Sequence, residues 1–128
     1  MIELSRSNGY GKLTVSNQYN QDAVVVLADS IKRVYSAFYI RAGDSYAADN
    51  IAPGTYYVYF SHGRNWDRDL KQFTQDLHMF RLNEPLKFEL IEYSDEYKYT
   101  VWQLILPANP KTTNGISTVS EDEFPNLS

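Results

Sequence analysis

The chain has 128 residues, a net charge of -4 and no cysteine. That length fits one domain, large enough to bury a core without disulfide or metal staples. The acidic balance argues against a nucleic-acid surface, which needs clustered Lys and Arg, and no apolar run reaches the roughly 20 residues of a membrane span.

Residues 1–10 read as a lead-in. Met1 to Gly9 lack the apolar stretch of a signal peptide, so the expected location is cytoplasmic, or exported if the domain is cut from a longer chain. Gly11 to Ser16 alternates, with Leu13 and Val15 inward, and predicts a first strand. Asn17 to Asp22 is a polar loop. Ala23-Val24-Val25-Val26-Leu27-Ala28 is continuously apolar and β-branched, as a buried strand requires. Arg33 to Arg41 predicts a third strand, with Val34, Phe38 and Ile40 on one side and Tyr35, Ala37 and Tyr39 on the other. Ser45 to Ala48 is a short fourth strand. The Pro53-Gly54 pair turns the chain, because Pro fixes φ and Gly accepts positive φ. Strand five, Thr55 to Ser61, puts Tyr56, Val58 and Phe60 on one face and Tyr57 and Tyr59 on the other.

From His62 to Glu84 the strand pattern breaks. Leu70, Phe73 and Leu77 stand at helical spacing, so this insertion of about 23 residues is expected to be partly helical. Pro85 to Tyr93 and Tyr97 to Leu106 predict strands six and seven, joined by Ser94-Asp95-Glu96. Residues 107–128 are rich in Pro, Thr, Asn and Ser and read as an irregular surface or mobile tail, with Ile116, Val119 and Phe124 able to dock parts of it. The expected fold is all-β: a seven-stranded antiparallel sandwich over residues 11–106. Leu13, Val26, Phe60 and Trp102 are expected to share its interior.

Gly-x-Leu-x-Val at 11 to 15, the run at 23 to 27 and Ile-x-Pro-Gly-Thr-Tyr-x-Val at 51 to 58 together resemble the carboxypeptidase-regulatory-like, or prealbumin-like, sandwiches of the immunoglobulin-like class. They also resemble the related collagen-adhesin B-type repeats. The resemblance spans about residues 11–61; the Trp66-Asp67 segment departs from it. It implies a non-catalytic accessory, structural or adhesive module. The adhesin relatives also carry a Lys–Asn isopeptide bond, for which Lys12 with Asn109 or Asn114 would be the candidates here; alternation points Lys12 outward.

The chemistry-bearing residues are few. His62 and His78 are the two histidines. With Asp67, Asp69 or Asp76 they match no metal-ligand spacing and read as surface residues. There is no Gly-x-Ser-x-Gly, no phosphate loop and no His-Glu-x-x-His. No catalytic residue, metal or cofactor is therefore assigned, and an enzyme centred on His62, Asp67 and His78 ranks third among the functional readings. Two features suit binding. Arg64, Trp66, Asp67 and Phe73 form a candidate recognition loop, or else Trp66 caps the sandwich while Arg64 or Arg68 pairs with Asp67 or Asp69. The 11 tyrosines form a candidate face: Tyr57 with Tyr59, Tyr97 with Tyr99, and Tyr35 with Tyr39. Such a stripe needs a cover, from the tail, the 62–84 segment or another subunit. The leading expectation is a module for protein–protein contacts, with a protein partner or a second copy. The alternative is a carbohydrate-binding module stacking sugars on Tyr57, Tyr59 or Trp66.

Overall fold

A computed structural model describes residues 10–127; most of the expected lead-in lies outside them. Eleven strands are present: β1 (Gly11–Asn17), β2 (Asp22–Ala28), β3 (Val34–Ile40), β4 (Ser45–Ile51), β5 (Gly54–Asp67), β6 (Gln72–Leu82), β7 (Leu86–Phe88), β8 (Leu90–Glu92), β9 (Tyr97–Tyr99), β10 (Val101–Leu106) and β11 (Ile116–Thr118). Among the described residues no helix is long and apolar enough to cross a membrane.

The strands form two main sheets. The smaller has the order β10-β1-β4 and the larger β11-β6-β5-β2-β3, with β7 paired to the start of β5. The larger sheet is antiparallel, but β1 and β10 run parallel, so the sandwich is not wholly antiparallel as expected. β8 and β9 form a separate two-stranded ribbon. Predicted strands six and seven are thus each split, at Glu89 and Thr100. There the chain leaves the body and returns, held by the Thr100 hydroxyl, which accepts from the Glu89 N–H at 2.9 Å.

The apolar run of β2 explains the layering. A strand buried on both faces has no polar side to spare. Ala23, Val25 and Leu27 face the smaller sheet and join Leu13, Val15, Phe38, Phe60, Phe80 and Leu106 in the main core. Val24, Val26 and Ala28 face the other way and join a second cluster with Ala37, Tyr59 and Phe73. Val26 therefore does not share an interior with Leu13 and Phe60. Neither does Trp102, which is 38% exposed; its ring N–H instead donates to the Lys87 carbonyl at 3.0 Å, tying β10 to β7. A bulge opposite Leu27 and Ala28 swaps Val34 and Tyr35. Tyr35 thereby packs on the main core and Val34 on the second cluster.

The Pro-Gly corner is held by two tyrosines. The Tyr56 hydroxyl donates to the Ala52 carbonyl at 2.6 Å, and the Ala52 N–H donates to the Tyr35 hydroxyl at 2.9 Å. Asn17 does the same at the other end. Its buried amide donates to the carbonyls of Gln21 and Ile40, and its side-chain oxygen accepts from the Tyr19 N–H.

The 62–84 insertion is not helical. β5 runs on to Asp67, turns, and returns as β6. The Asp67 carboxylate accepts the N–H groups of Asp69 and Leu70 at 2.8 and 3.0 Å, which closes the turn. The helical spacing of Leu70, Phe73 and Leu77 has no common face behind it: Leu70 is exposed at the turn and Phe73 is buried. The tail is also more regular than expected, because Ile116–Thr118 extends the larger sheet beside β6. Lys12 pairs with Val101 at the start of β10, whereas Asn109 follows Leu106 at its far end, beside Asn17. No Lys12–Asn109 cross-link fits that register.

Candidate interaction surface

Three of the expected recognition residues come together near the tip of the β5–β6 hairpin, as packed structure. Trp66 lies opposite Phe73 in register. Its ring meets Phe73 at 5.2 Å and Tyr39 at 5.6 Å, both edge to face. Tyr39 is fixed in turn by its hydroxyl, which donates to Asp22 at 2.5 Å; burial and that carboxylate hold its pKa above the usual range. Asp67 closes the turn, as above. Arg64 pairs with Asp76 rather than with Asp67 or Asp69, its Nε donating at 2.8 Å, and both side chains are exposed, so the pair adds little stability.

Phe73 is buried because Gly63 leaves room for it. A Cβ on residue 63 would lie 2.5 Å from the Phe73 Cβ. Gly63→Val is therefore expected to destabilise the fold by about 1–3 kcal/mol through overpacking. Urea denaturation measures it, and an unchanged midpoint would show that the hairpin yields freely there.

Tyr57 and Tyr59 do lie on the outer face of the larger sheet, covered by the chain's own tail. Tyr59 is 5% exposed and meets Phe124 edge to face at 5.9 Å. Val119 and Leu127 pack on the same cluster, and Lys71 Nζ donates to the Leu127 carbonyl at 3.2 Å. Between tail and hairpin lies a mixed polar cleft of about 390 Å³, lined by Gln72, Met79, Glu121, Asp122 and Asn126 among others. Tyr35 and Tyr39 point to different clusters, and Tyr97 and Tyr99 belong to another sheet, so the three tyrosine pairs form no common stripe.

The histidines also depart from expectation. His62 is fully buried, between Tyr19 at 4.3 Å and Phe60 at 5.5 Å. Burial pushes its pKa down to about 4, opposed by the backbone of Asp22 and Gln21. His78 is its cross-strand neighbour. Asp67 lies five residues further along β5, spent on the turn, so His62, Asp67 and His78 do not converge. Among the described residues no three His, Asp or Glu side chains are grouped to hold a metal ion.

The exposed apolar surface lies elsewhere. Ten large hydrophobic residues are exposed among the described residues; eight of them are Tyr10, Ile91, Tyr93, Tyr97, Tyr99, Val101, Trp102 and Ile105. All sit on the β8–β9 ribbon, on β10 or against them. Tyr10 stacks on Tyr97 at 5.1 Å, and the Lys98 ammonium lies 5.6 Å from the Tyr93 ring centre. The signal available in the sequence was Tyr97-Lys98-Tyr99 facing Leu90-Ile91-Glu92, a pair of strands with no clean polar side. No family model, curated protein or solved structure matches the chain.

Proposed function

We propose that this chain is a non-catalytic β-sandwich module for protein–protein contacts, engaging its partner through the β8–β9 ribbon and β10. One observation carries the reading: eight of ten exposed large hydrophobic residues gather there. Apolar side chains scattered singly over a surface need no explanation, whereas a patch of aromatics marks an interface. An isolated two-stranded ribbon is marginal in water, so such a ribbon is best explained by something that packs on it.

Affinity capture from source lysate tests this, comparing the wild type with Tyr97→Ser/Tyr99→Ser. Both rings are exposed, so the variant is expected to fold. The exposed residue Leu70, away from the ribbon, supplies the control Leu70→Ser. Loss of a retained protein in the tyrosine variant alone supports the proposal. Equal retention by all three proteins removes it.

A further inference from the structure

We propose that the open edge of β10 is closed by β10 of a second copy, paired antiparallel about Gln103. This rests on the interaction-module reading above and names its partner.

Among the described residues β10 has a neighbour, β1, on one side only. The Thr100 carbonyl accepts the Lys12 N–H and the Leu106 carbonyl accepts the Gln18 N–H. Within β10, Trp102, Leu104 and Leu106 thus turn their backbone groups toward β1. Val101, Gln103 and Ile105 then present N–H and C=O to the open edge, since backbone direction alternates along a strand.

Natural edge strands are blunted with charge, proline or brevity. β11 has three residues, β4 carries Asp49, and β3 is flanked by Arg33 and Arg41. From Tyr99 to Leu106 β10 and its approach carry no charge, no glycine and no proline.

The side-chain order favours a second copy over an unrelated strand, because it reads nearly the same from both ends. With Gln103 opposite Gln103 on the two-fold axis, Val101 of one copy faces Ile105 of the other. Trp102 faces Leu104. All four are apolar, and Gln103 alone provides an amide that pairs with itself. The Gln103 residues form a hydrogen-bonded pair, exchanging two backbone bonds. The same register sets Tyr99 against Pro107, which ends the ladder and brings each ribbon to the other copy. An isologous contact of this kind closes on itself.

Sedimentation analysis of the full chain is expected to give twice the 14.8 kDa chain mass. Ile105→Lys is expected to weaken association at least ~100-fold, since each dimer would bury two unpaired ammonium groups. Ile105 is 55% exposed, so its circular dichroism and melting should match the wild type. The chain has no cysteine, which allows a second, independent readout. Gln103→Cys is expected to cross-link two copies under mild oxidation, because paired Cα atoms at about 5.5 Å suit a disulfide. Ile31→Cys, exposed elsewhere, is expected to cross-link far more slowly. A monomeric wild type overturns the proposal. So does a dimer that survives Ile105→Lys, or Gln103→Cys cross-linking no faster than Ile31→Cys. A monomer that still captures a protein through Tyr97 and Tyr99 would leave the interaction-module reading standing.

Discussion

Acidification from pH 7 to pH 4 is expected to cost the fold about 3 kcal/mol through His62 alone. The ring is fully buried against Tyr19, Phe60 and Phe80, and neither ring nitrogen has a hydrogen-bond partner among the described residues. A charge placed there would lose its hydration, a cost that the nearby backbone of Asp22 and Gln21 offsets only in part. In the folded chain the group therefore stays neutral until about pH 4. In the unfolded chain it takes up a proton below about pH 6.5. Between those values the unfolded state binds more protons, so stability falls as pH falls. Below the folded value the loss is complete. Urea denaturation at pH 7 and pH 4.5 checks this, with His62→Leu as comparison. Carboxylates titrate in both proteins, so the difference between the two isolates His62. The wild type is expected to lose more stability on acidification than the variant. Parallel losses would mean that the ring is already charged or solvated in the native state.

The double variant Phe124→Ala/Leu127→Ala is expected to lose about 3 kcal/mol, because two partly buried side chains leave an apolar sheet face. The larger sheet is greasy on both sides, and the tail packs Val119, Phe124 and Leu127 on its outer face, with Phe124 against Tyr59. The variant is also expected to bind more hydrophobic dye at native pH than the wild type does. Guanidinium denaturation gives the first quantity and dye fluorescence the second. Wild-type stability with no added dye binding would show that the tail rests on the sheet without holding it.

The strands up to residue 61 were legible because alternation and turn chemistry agreed there. β1, β2, β3 and the start of β5 lie within a residue or two of expectation. The second half failed for identifiable reasons. Gly63 and Asn65 look like turn residues, but Gly63 makes space for Phe73 and Asn65 sits at positive φ inside a strand. Phe73 and Leu77 stand four apart on one face, a spacing that a strand shares with a helix, and Leu70 at the turn completes the helical pattern by chance. Of the expected site, Trp66 and Phe73 do meet, yet as packing. The polar context of Asp67 fits a turn cap as well as a recognition loop, and the turn is what its carboxylate closes. Alternation alone places Trp102 in the core, and alternation cannot distinguish a central strand from an edge. His62 follows a strand whose inner face it continues, Tyr56-Val58-Phe60, and that parity was the missed signal of its burial.

The parallel pairing of β1 with β10 has a consequence for how the protein is made. The first strand meets its partner only when Leu106 has left the ribosome, since Lys12 pairs with Val101 and Asn17 with Leu106. Until then β1 has β4 alone. Closing so long a loop is slow, and folding is expected on the millisecond-to-second scale of high-contact-order sandwiches. That order of emergence also releases the most adhesive hexapeptide, Val101 to Leu106, late, when the rest of the sandwich is already present to receive it.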